Sequence, residues 1–88
     1  MMRRTPEQII NDLLNVINKE EHLTLKQIAQ YANISFDQSR RYFRAISKNN
    51  LALLTGLTPI DTAKIMQKGL HYLATFRELE SLIRSGLP

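Results

Sequence analysis

The sequence contains three matches to a helix-start pattern in which a hydroxyl residue is followed, three positions later, by Gln. The matches begin at Thr5, Thr24 and Ser35. In such a capping box the hydroxyl accepts a hydrogen bond from the third backbone amide of the helix, and the Gln side chain reaches back to the amide of the capping residue. Because each match precedes apolar residues at helical spacing, we expect three helices in the first part of the chain.

The apolar spacing also sets the expected lengths of these helices. They are predicted over residues 6–19, 25–32 and 36–49. Asn33 follows the second helix and Asn50 follows the third. Asn is among the few residues that readily adopt a left-handed backbone, which is the conformation that commonly ends a helix. We therefore expect a tight corner at Asn33 and a helix end at Asn50.

The composition changes after residue 50 and predicts a β-hairpin followed by a fourth helix. Residues 51–55 and 60–65 are predicted strands, with Gly56 to Pro59 as their turn, and residues 66–85 form the last helix. The expected fold class is α+β, mainly helical, in the order α1-α2-α3-β-hairpin-α4. A chain of 88 residues holds one small domain. We place it at residues 5–85, after a flexible basic arm at residues 1–4.

Basic residues are concentrated in the middle of the chain. The sequence has 12 Lys and Arg against 8 Asp and Glu, for a net charge of +4. Residues 36–68 alone hold six basic and two acidic residues. Clustered Arg with this net charge is typical of a protein that binds a polyanion such as nucleic acid. The alternative is a solvated basic face without a partner.

Other functional classes find little support in the sequence. Cys is absent, which excludes disulfides, thiolate metal sites and Cys nucleophiles. Neither His22 nor His71 has a second ligand at metal-binding spacing, and no Gly-rich phosphate loop or nucleophile elbow is present. No apolar run approaches the ~18 residues of a membrane span. We expect a cytoplasmic, nucleoid-associated protein that is not an enzyme and has no cofactor, metal, membrane contact or small-molecule effector.

The second and third helices, with their short corner, match a helix-turn-helix, whose second helix enters the DNA major groove. Arg pairs well with guanine and Gln with adenine. A helix start offers amides to a phosphate, and a hairpin beside it forms a wing on the backbone. The predicted DNA-contacting residues are Ser35, Gln38, Arg40, Arg41, Arg44 and Lys48 on the third helix or at its start, Thr58 and Lys64 on the wing, and Arg3 and Arg4 on the arm.

The last helix is apolar around much of its circumference. Tyr72, Phe76, Leu79 and Ile83 recur at spacings of four, three and four. One side of this helix should close the core, and the other should meet a second copy of the chain. Small domains without staples often depend on such association. We expect a homodimer through the C-terminal helix, with these four residues at the interface.

Several motifs resemble those of the small archaeal winged helix-turn-helix proteins. They lie at residues 25–36 (LKQIAQYANISF), 40–46 (RRYFRAI), 50–51 (NL) and 68–73 (KGLHYL). The resemblance implies a DNA-binding regulator or chromatin-like protein, and several such proteins dimerise through the last helix as an antiparallel coiled coil. A virus or plasmid of an archaeal host could carry such a protein. Met66 departs from the pattern, which has a capping Thr there.

Together these features predict sequence-dependent binding of double-stranded DNA by a homodimeric transcriptional regulator. Its recognition helix is residues 36–49 in the major groove, and its wing is residues 51–65 on the DNA backbone. Two alternatives stay open at this stage: a winged-helix module that binds other proteins within a larger complex, and a general chromatin-like protein that coats DNA. A winged helix that binds RNA is less favoured, because few aromatic residues are placed to stack on bases.

Overall fold

The computed structural model describes residues 3–86 as four helices and one antiparallel hairpin. The elements are α1 Pro6–Lys19, α2 Leu25–Tyr31, α3 Phe36–Lys48, β1 Ala52–Leu54, β2 Ala63–Ile65 and α4 Gln67–Gly86. The α+β, mainly helical class and the predicted order of elements are confirmed. The largest difference is β2, which begins three residues later than predicted because residues 60–62 belong to the hairpin loop.

The helix starts follow the capping pattern with one informative difference. At Thr5 and Thr24 both reciprocal hydrogen bonds form, with the Gln side chains accepting from the capping amides at 2.7 and 2.9 Å. At Ser35 the hydroxyl oxygen accepts from the Gln38 amide at 3.2 Å, but the return bond is missing. The first two boxes are thus complete, and the third is half formed.

The core lies where α1, α2 and α3 meet. Its largest fully buried apolar side chains are Leu13, Leu14, Leu25, Ile28, Phe43 and Ile46. The prediction that Ser39, Phe43 and Ile46 face inward is confirmed, and Tyr42 joins them with 7% of its surface exposed. The buried Ser39 hydroxyl donates to the Phe36 carbonyl at 2.7 Å, which avoids an unpaired polar group. The opposite side of α3 is left to solvent.

The hairpin is joined directly to the end of α3. Asn50 has the predicted left-handed backbone (φ 59°), and the next amide, of Leu51, donates to the Ile46 carbonyl at 3.0 Å. In the hairpin Ala52 lies opposite Ile65, and Leu53 lies opposite Lys64. Because side chains alternate between the two faces of a strand, the first pair faces the core and the second faces solvent.

The first turns of α4 pack tightly against the hairpin, and its last ten residues leave the domain. Gly69 is buried, and a Cβ atom at this position would overlap the Leu51 carbonyl oxygen and the Ile65 side chain. Leu73 closes the core with 7% exposure. From Arg77 to Gly86 every residue is exposed. The C-terminal half of α4 therefore extends beyond the core that the described residues form.

Replacing Gly69 should destabilise the fold because no space exists for a side chain. We expect Gly69→Ala to lower the free energy of unfolding by about 1–3 kcal/mol, the usual cost of overpacking. Gly86→Ala is the matched control, since its added Cβ meets nothing within 4 Å. Urea unfolding of both variants measures the difference. Equal stability of the two would show that α4 does not approach the hairpin this closely.

Candidate nucleic-acid interface

The solvent-facing side of α3 carries a row of basic side chains. Arg41, Arg44 and Lys48 recur at helical spacing, Arg40 flanks them, and all four are exposed. Within residues 3–86, the carboxylates that lie within 4 Å of a cationic side chain are paired with Arg4 and His22 instead. We call these four residues the basic face. Its charges are thus free to meet an anionic partner.

Two arginines of the basic face are stacked on aromatic rings. The Arg40 guanidinium lies 5.2 Å from the centre of the Phe36 ring, and that of Arg41 lies 4.9 Å from the Tyr42 ring. Arg41 also donates to the Tyr42 hydroxyl at 2.9 Å. Such cation–π contacts restrict a long side chain before any ligand binds. The spacing of four between Phe36 and Arg40 was a usable signal in the sequence, whereas adjacent residues such as Arg41 and Tyr42 give none.

The first turn of α3 leaves one side-chain amide unused. The side chains of Gln8 and Gln27 are engaged in their capping boxes, but the Gln38 carboxamide has no hydrogen bond to any described residue. Gln38 is exposed and lies one turn before Arg41. It therefore retains both its donor and its acceptor for a ligand. Ser35 serves as the N-cap, and its predicted phosphate contact stays a prediction.

Two further basic side chains are exposed on the hairpin and at the start of α4. Lys64 is exposed on β2, and Lys68 is exposed in the first turn of α4. The strand partner of Lys64 is Leu53, which is 63% exposed on the same face of the hairpin. Lys64 is therefore accessible, and its contact with a polyanion stays a prediction.

Thr58 uses its donors within the hairpin loop. Its hydroxyl and its amide both donate to Oδ2 of Asp61, at 2.6 and 2.8 Å, while the Thr55 hydroxyl donates to Oδ1 at 2.8 Å. The predicted phosphate contact of Thr58 stays a prediction, and the Asp61 carboxylate lies beside it. Hydrogen bonds from the Thr58 hydroxyl, the Thr58 amide and the Thr55 hydroxyl, in decreasing order of effect, lower the pKa of Asp61 below its usual value.

The hairpin loop is fixed to the beginning of α2. The Leu25 amide donates to the Asp61 carbonyl at 2.7 Å, and the Lys26 amide donates to the Pro59 carbonyl at 3.1 Å. Thr24 and Thr62 add a single antiparallel bridge beside them. The loop thus caps a helix of its own chain, which the sequence pattern did not predict.

Arg4 is held by the domain, contrary to the prediction of a flexible arm at residues 1–4. Its Nη1 donates to Asp12 at 2.8 Å and to the Ala32 carbonyl at 2.7 Å, and its Nη2 donates to the Asn33 carbonyl at 3.0 Å. Carbonyls at the end of a helix lack intrahelical donors, which is why they accept from this guanidinium. Arg3 is exposed, and residues 1–2 of the predicted arm lie outside the described residues.

The four residues predicted for a dimer interface fall into two pairs. Tyr72 and Phe76 are half-buried, and their rings stack with centres 6.4 Å apart. The Tyr72 hydroxyl donates to the Glu7 carbonyl at 3.0 Å, and burial, with a smaller effect of the Glu7 charge, raises the pKa of Tyr72. Leu79 and Ile83 are 54% and 60% exposed. The first pair thus contacts α1 of its own chain.

Leu82 enlarges the exposed apolar surface of α4. It is 64% exposed and lies between Leu79 and Ile83 in sequence. We call these three residues the α4 apolar surface. The exposure of Leu82 shows that it belongs to the same uncovered part of the helix as Leu79 and Ile83.

Two further classes of site were considered from the sequence, and the structure bears on both. Among residues 3–86, no three His, Cys, Asp or Glu side chains are grouped closely enough to hold a metal ion. In the same range no helix combines the length and the apolar character needed to cross a membrane.

Comparison with known proteins gives no relative for this chain. No family model, no curated protein and no solved structure matches it. The resemblance to archaeal winged helix-turn-helix proteins therefore rests on the motifs alone, and the functional argument rests on the geometry of the basic face.

The Asp61 turn should make the hairpin loop sensitive to acid. Because the pKa of Asp61 is lower in the folded than in the unfolded chain, its hydrogen bonds stabilise the fold above about pH 3.8. That stabilisation is lost as the pH falls through the folded pKa. We expect Asp61→Asn to lower the melting temperature at neutral pH. The difference in melting temperature between this variant and the wild type should become smaller in acid.

Thermal melts followed by circular dichroism between about pH 7 and pH 3 measure this gap. Glu78→Gln is the control, since it removes an exposed carboxylate that has no hydrogen bond or ion pair to the described residues. A gap for Asp61→Asn that is constant across the pH range would contradict the role given to its charge.

Proposed function

We propose that this protein binds double-stranded DNA in a sequence-dependent manner, as a homodimer, and regulates transcription. In this proposal α2 and α3 form the helix-turn-helix of a winged-helix fold, and the hairpin is its wing. The observation that carries the proposal is the basic face: Arg40, Arg41, Arg44 and Lys48 are exposed on one helix, without a carboxylate partner in residues 3–86. Such a role would associate the protein with the nucleoid.

The shape of α3 suits the major groove. Its 13 residues span about 20 Å at 1.5 Å per residue, and the groove is about 12 Å wide. Its inner side is fixed by Phe43 and Ile46, which are fully buried. A helix anchored in this way can present its outer side as a rigid surface, which lowers the entropic cost of binding.

The side chains on the outer side of α3 differ in which bases they can recognise. Arg40 and Arg41 are ordered by their aromatic neighbours, and a planar guanidinium can bind guanine through two hydrogen bonds. Gln38 keeps its carboxamide free and can bind adenine in the same bidentate way. We assign base contacts to these three residues, because guanidinium and carboxamide groups offer paired donors and acceptors that discriminate between bases.

The remaining basic side chains are better suited to phosphates. Arg44 and Lys48 extend the basic face toward the end of α3, and Lys64 adds a charge on the hairpin. The exposed Arg3 offers a further charge at the N-terminal side of the domain. Phosphate contacts supply affinity that depends on salt but carry no sequence information. The hairpin contributes through Lys64, since its loop is committed to α2.

The homodimer is proposed from the α4 apolar surface. Its residues lie in the ten-residue stretch from Arg77 to Gly86, which has no buried side chain. The stretch gains no stability from burial in its own domain, and a partner on its apolar side would supply that burial. The stretch carries two Arg and two Glu, and its neutral balance allows a second copy to approach without net repulsion.

Replacing Arg40, Arg41 and Arg44 together by Ala should abolish most DNA binding while leaving the fold intact. These side chains are exposed, so their loss does not disturb the core. We expect the affinity for a mixed-sequence duplex to fall at least about thirtyfold, given ~1–3 kcal/mol for each of the two proposed base contacts and the loss of the Arg44 phosphate contact. Fluorescence anisotropy at several salt concentrations measures it. The slope of log affinity against log salt should become shallower.

The matched control removes the same charge elsewhere, with Lys19, Lys26 and Lys68 changed to Ala. All three are exposed and lie outside the basic face. If both triple variants lose affinity equally, binding follows net charge and the proposed reading surface is wrong. If the wild type binds all duplexes equally well, the chromatin-like alternative is favoured. Absence of binding at low salt would favour the protein-interaction alternative.

Placing charges on the α4 apolar surface should separate the dimer. We expect Leu79→Glu with Ile83→Glu to give a monomer, because two carboxylates would otherwise be buried at the interface. Ser81→Glu with Ser85→Glu is the matched control, since it adds the same charges to exposed polar positions of the same helix. Sedimentation equilibrium measures the mass of each variant. A wild-type protein that is already monomeric at micromolar concentration would exclude this interface.

A further inference from the structure

Arg4 connects three parts of the chain through one guanidinium. It binds the Asp12 carboxylate on α1 and the carbonyls of Ala32 and Asn33 at the corner between α2 and α3. We propose that Arg4 is a positioning residue, which fixes the corner and so the orientation of α3, and that it does not contact DNA. This inference rests on the proposed function, and it reassigns a residue that the sequence placed among the DNA contacts.

The corner is a segment that needs an external donor. Asn33 has a left-handed backbone (φ 61°), and the amides of Asn33 and Ile34 donate back to the Gln30 and Ala29 carbonyls, both at 3.0 Å. These bonds close the turn but leave the next carbonyls, of Ala32 and Asn33, beyond the end of α2. Arg4 donates to both, and a cation is also favoured at the C-terminal end of a helix.

Asp12 determines where the guanidinium lies. Its side chain is 38% exposed and Arg4 is 34% exposed, so the pair is partly shielded from water. The same nitrogen, Nη1, donates to Asp12 and to the Ala32 carbonyl. The corner is therefore linked by hydrogen bonds to α1, which carries Leu13 and Leu14 of the core. The planar fork of Arg suits three acceptors, which a Lys ammonium would not reach with the same geometry.

Because of these contacts, the Arg4 guanidinium does not bind a phosphate in this proposal. Its charge is neutralised by Asp12 at 2.8 Å, and two of its nitrogens are committed to carbonyls. Arg3, the neighbouring residue, is exposed, and no hydrogen bond or ion pair joins it to the rest of the described chain. The chain thus offers two adjacent arginines, of which one is structural and one is free.

The test compares Arg4→Ala, Arg4→Lys, Asp12→Asn and, as matched control, Arg3→Ala, in the full chain. We expect Arg4→Ala to weaken binding to the duplex by about three- to tenfold, the range for losing one partly exposed charged hydrogen-bond set. Its salt slope should equal that of the wild type, because no phosphate contact is lost. Arg4→Lys keeps the charge but should not restore affinity.

Asp12→Asn gives the sharpest contrast. This change raises the net charge by one, so simple electrostatics predicts tighter binding to DNA. Positioning predicts weaker binding instead, because the guanidinium loses its anchor. The double variant of Arg4→Ala and Asp12→Asn should bind no more weakly than Arg4→Ala alone, since both changes break one network.

Three results would overturn the proposal. The first is that Asp12→Asn binds the duplex more tightly than the wild type. The second is that Arg4→Lys binds with full affinity while Arg4→Ala has a shallower salt slope, and the third is that a folded Arg4→Ala binds as tightly as the wild type. Urea unfolding establishes that each variant is folded under the binding conditions. Amide hydrogen exchange at Asn33 and Ile34 measures how firmly the corner is held in the absence of DNA. The exchange rates should rise in Arg4→Ala but not in Arg3→Ala. This measurement therefore tests the corner even if the wild type binds no DNA, an outcome that would refute the proposed function instead.

Discussion

A helix of seven residues, α2, depends on the rest of the chain at both of its ends. At its start the hairpin loop accepts hydrogen bonds from the Leu25 and Lys26 amides, and Thr24 accepts from the third amide. Beyond its end Arg4 donates to two carbonyls of the corner. A helix this short is not stable in isolation. The hairpin, the N-terminal segment and the corner are therefore folded together, although they are distant in sequence.

This arrangement determines what α3 can present. Because α2 and the corner are fixed, the inner face of α3 packs in one orientation and its outer face is left to carry charge. Phe36 and Tyr42 then act from the edges of the core on two arginines that they contact directly. Packing and electrostatics are coupled here, since Phe36 and Tyr42 pack at the core and also contact two arginines of the basic face.

Much of this fold could be predicted from local signals. Three capping patterns, the Asn residues at 33 and 50 and the change of composition after residue 50 are short-range features, and they located α1, α2, α3 and the hairpin. The hydrogen-bond partners of Thr58 and Arg4 could not be predicted in this way. Their partners depend on how distant segments meet: the loop folds onto α2, and Arg4 reaches carbonyls 28 and 29 residues away. The basic face was predictable from helical spacing, but the stacking of Arg40 and Arg41 on aromatic rings was not.

If the protein binds DNA as proposed, the close packing of Gly69 has a consequence for the geometry of its DNA sites. With no side chain at this position, α4 lies directly against the Leu51 carbonyl, and this contact fixes the angle at which the helix leaves the domain. In a dimer joined through α4, that angle sets the separation of the two α3 helices. The separation in turn sets the number of base pairs between half-sites, which for successive major grooves is about one turn of DNA. A residue remote from the bases would thus select operators by their spacing.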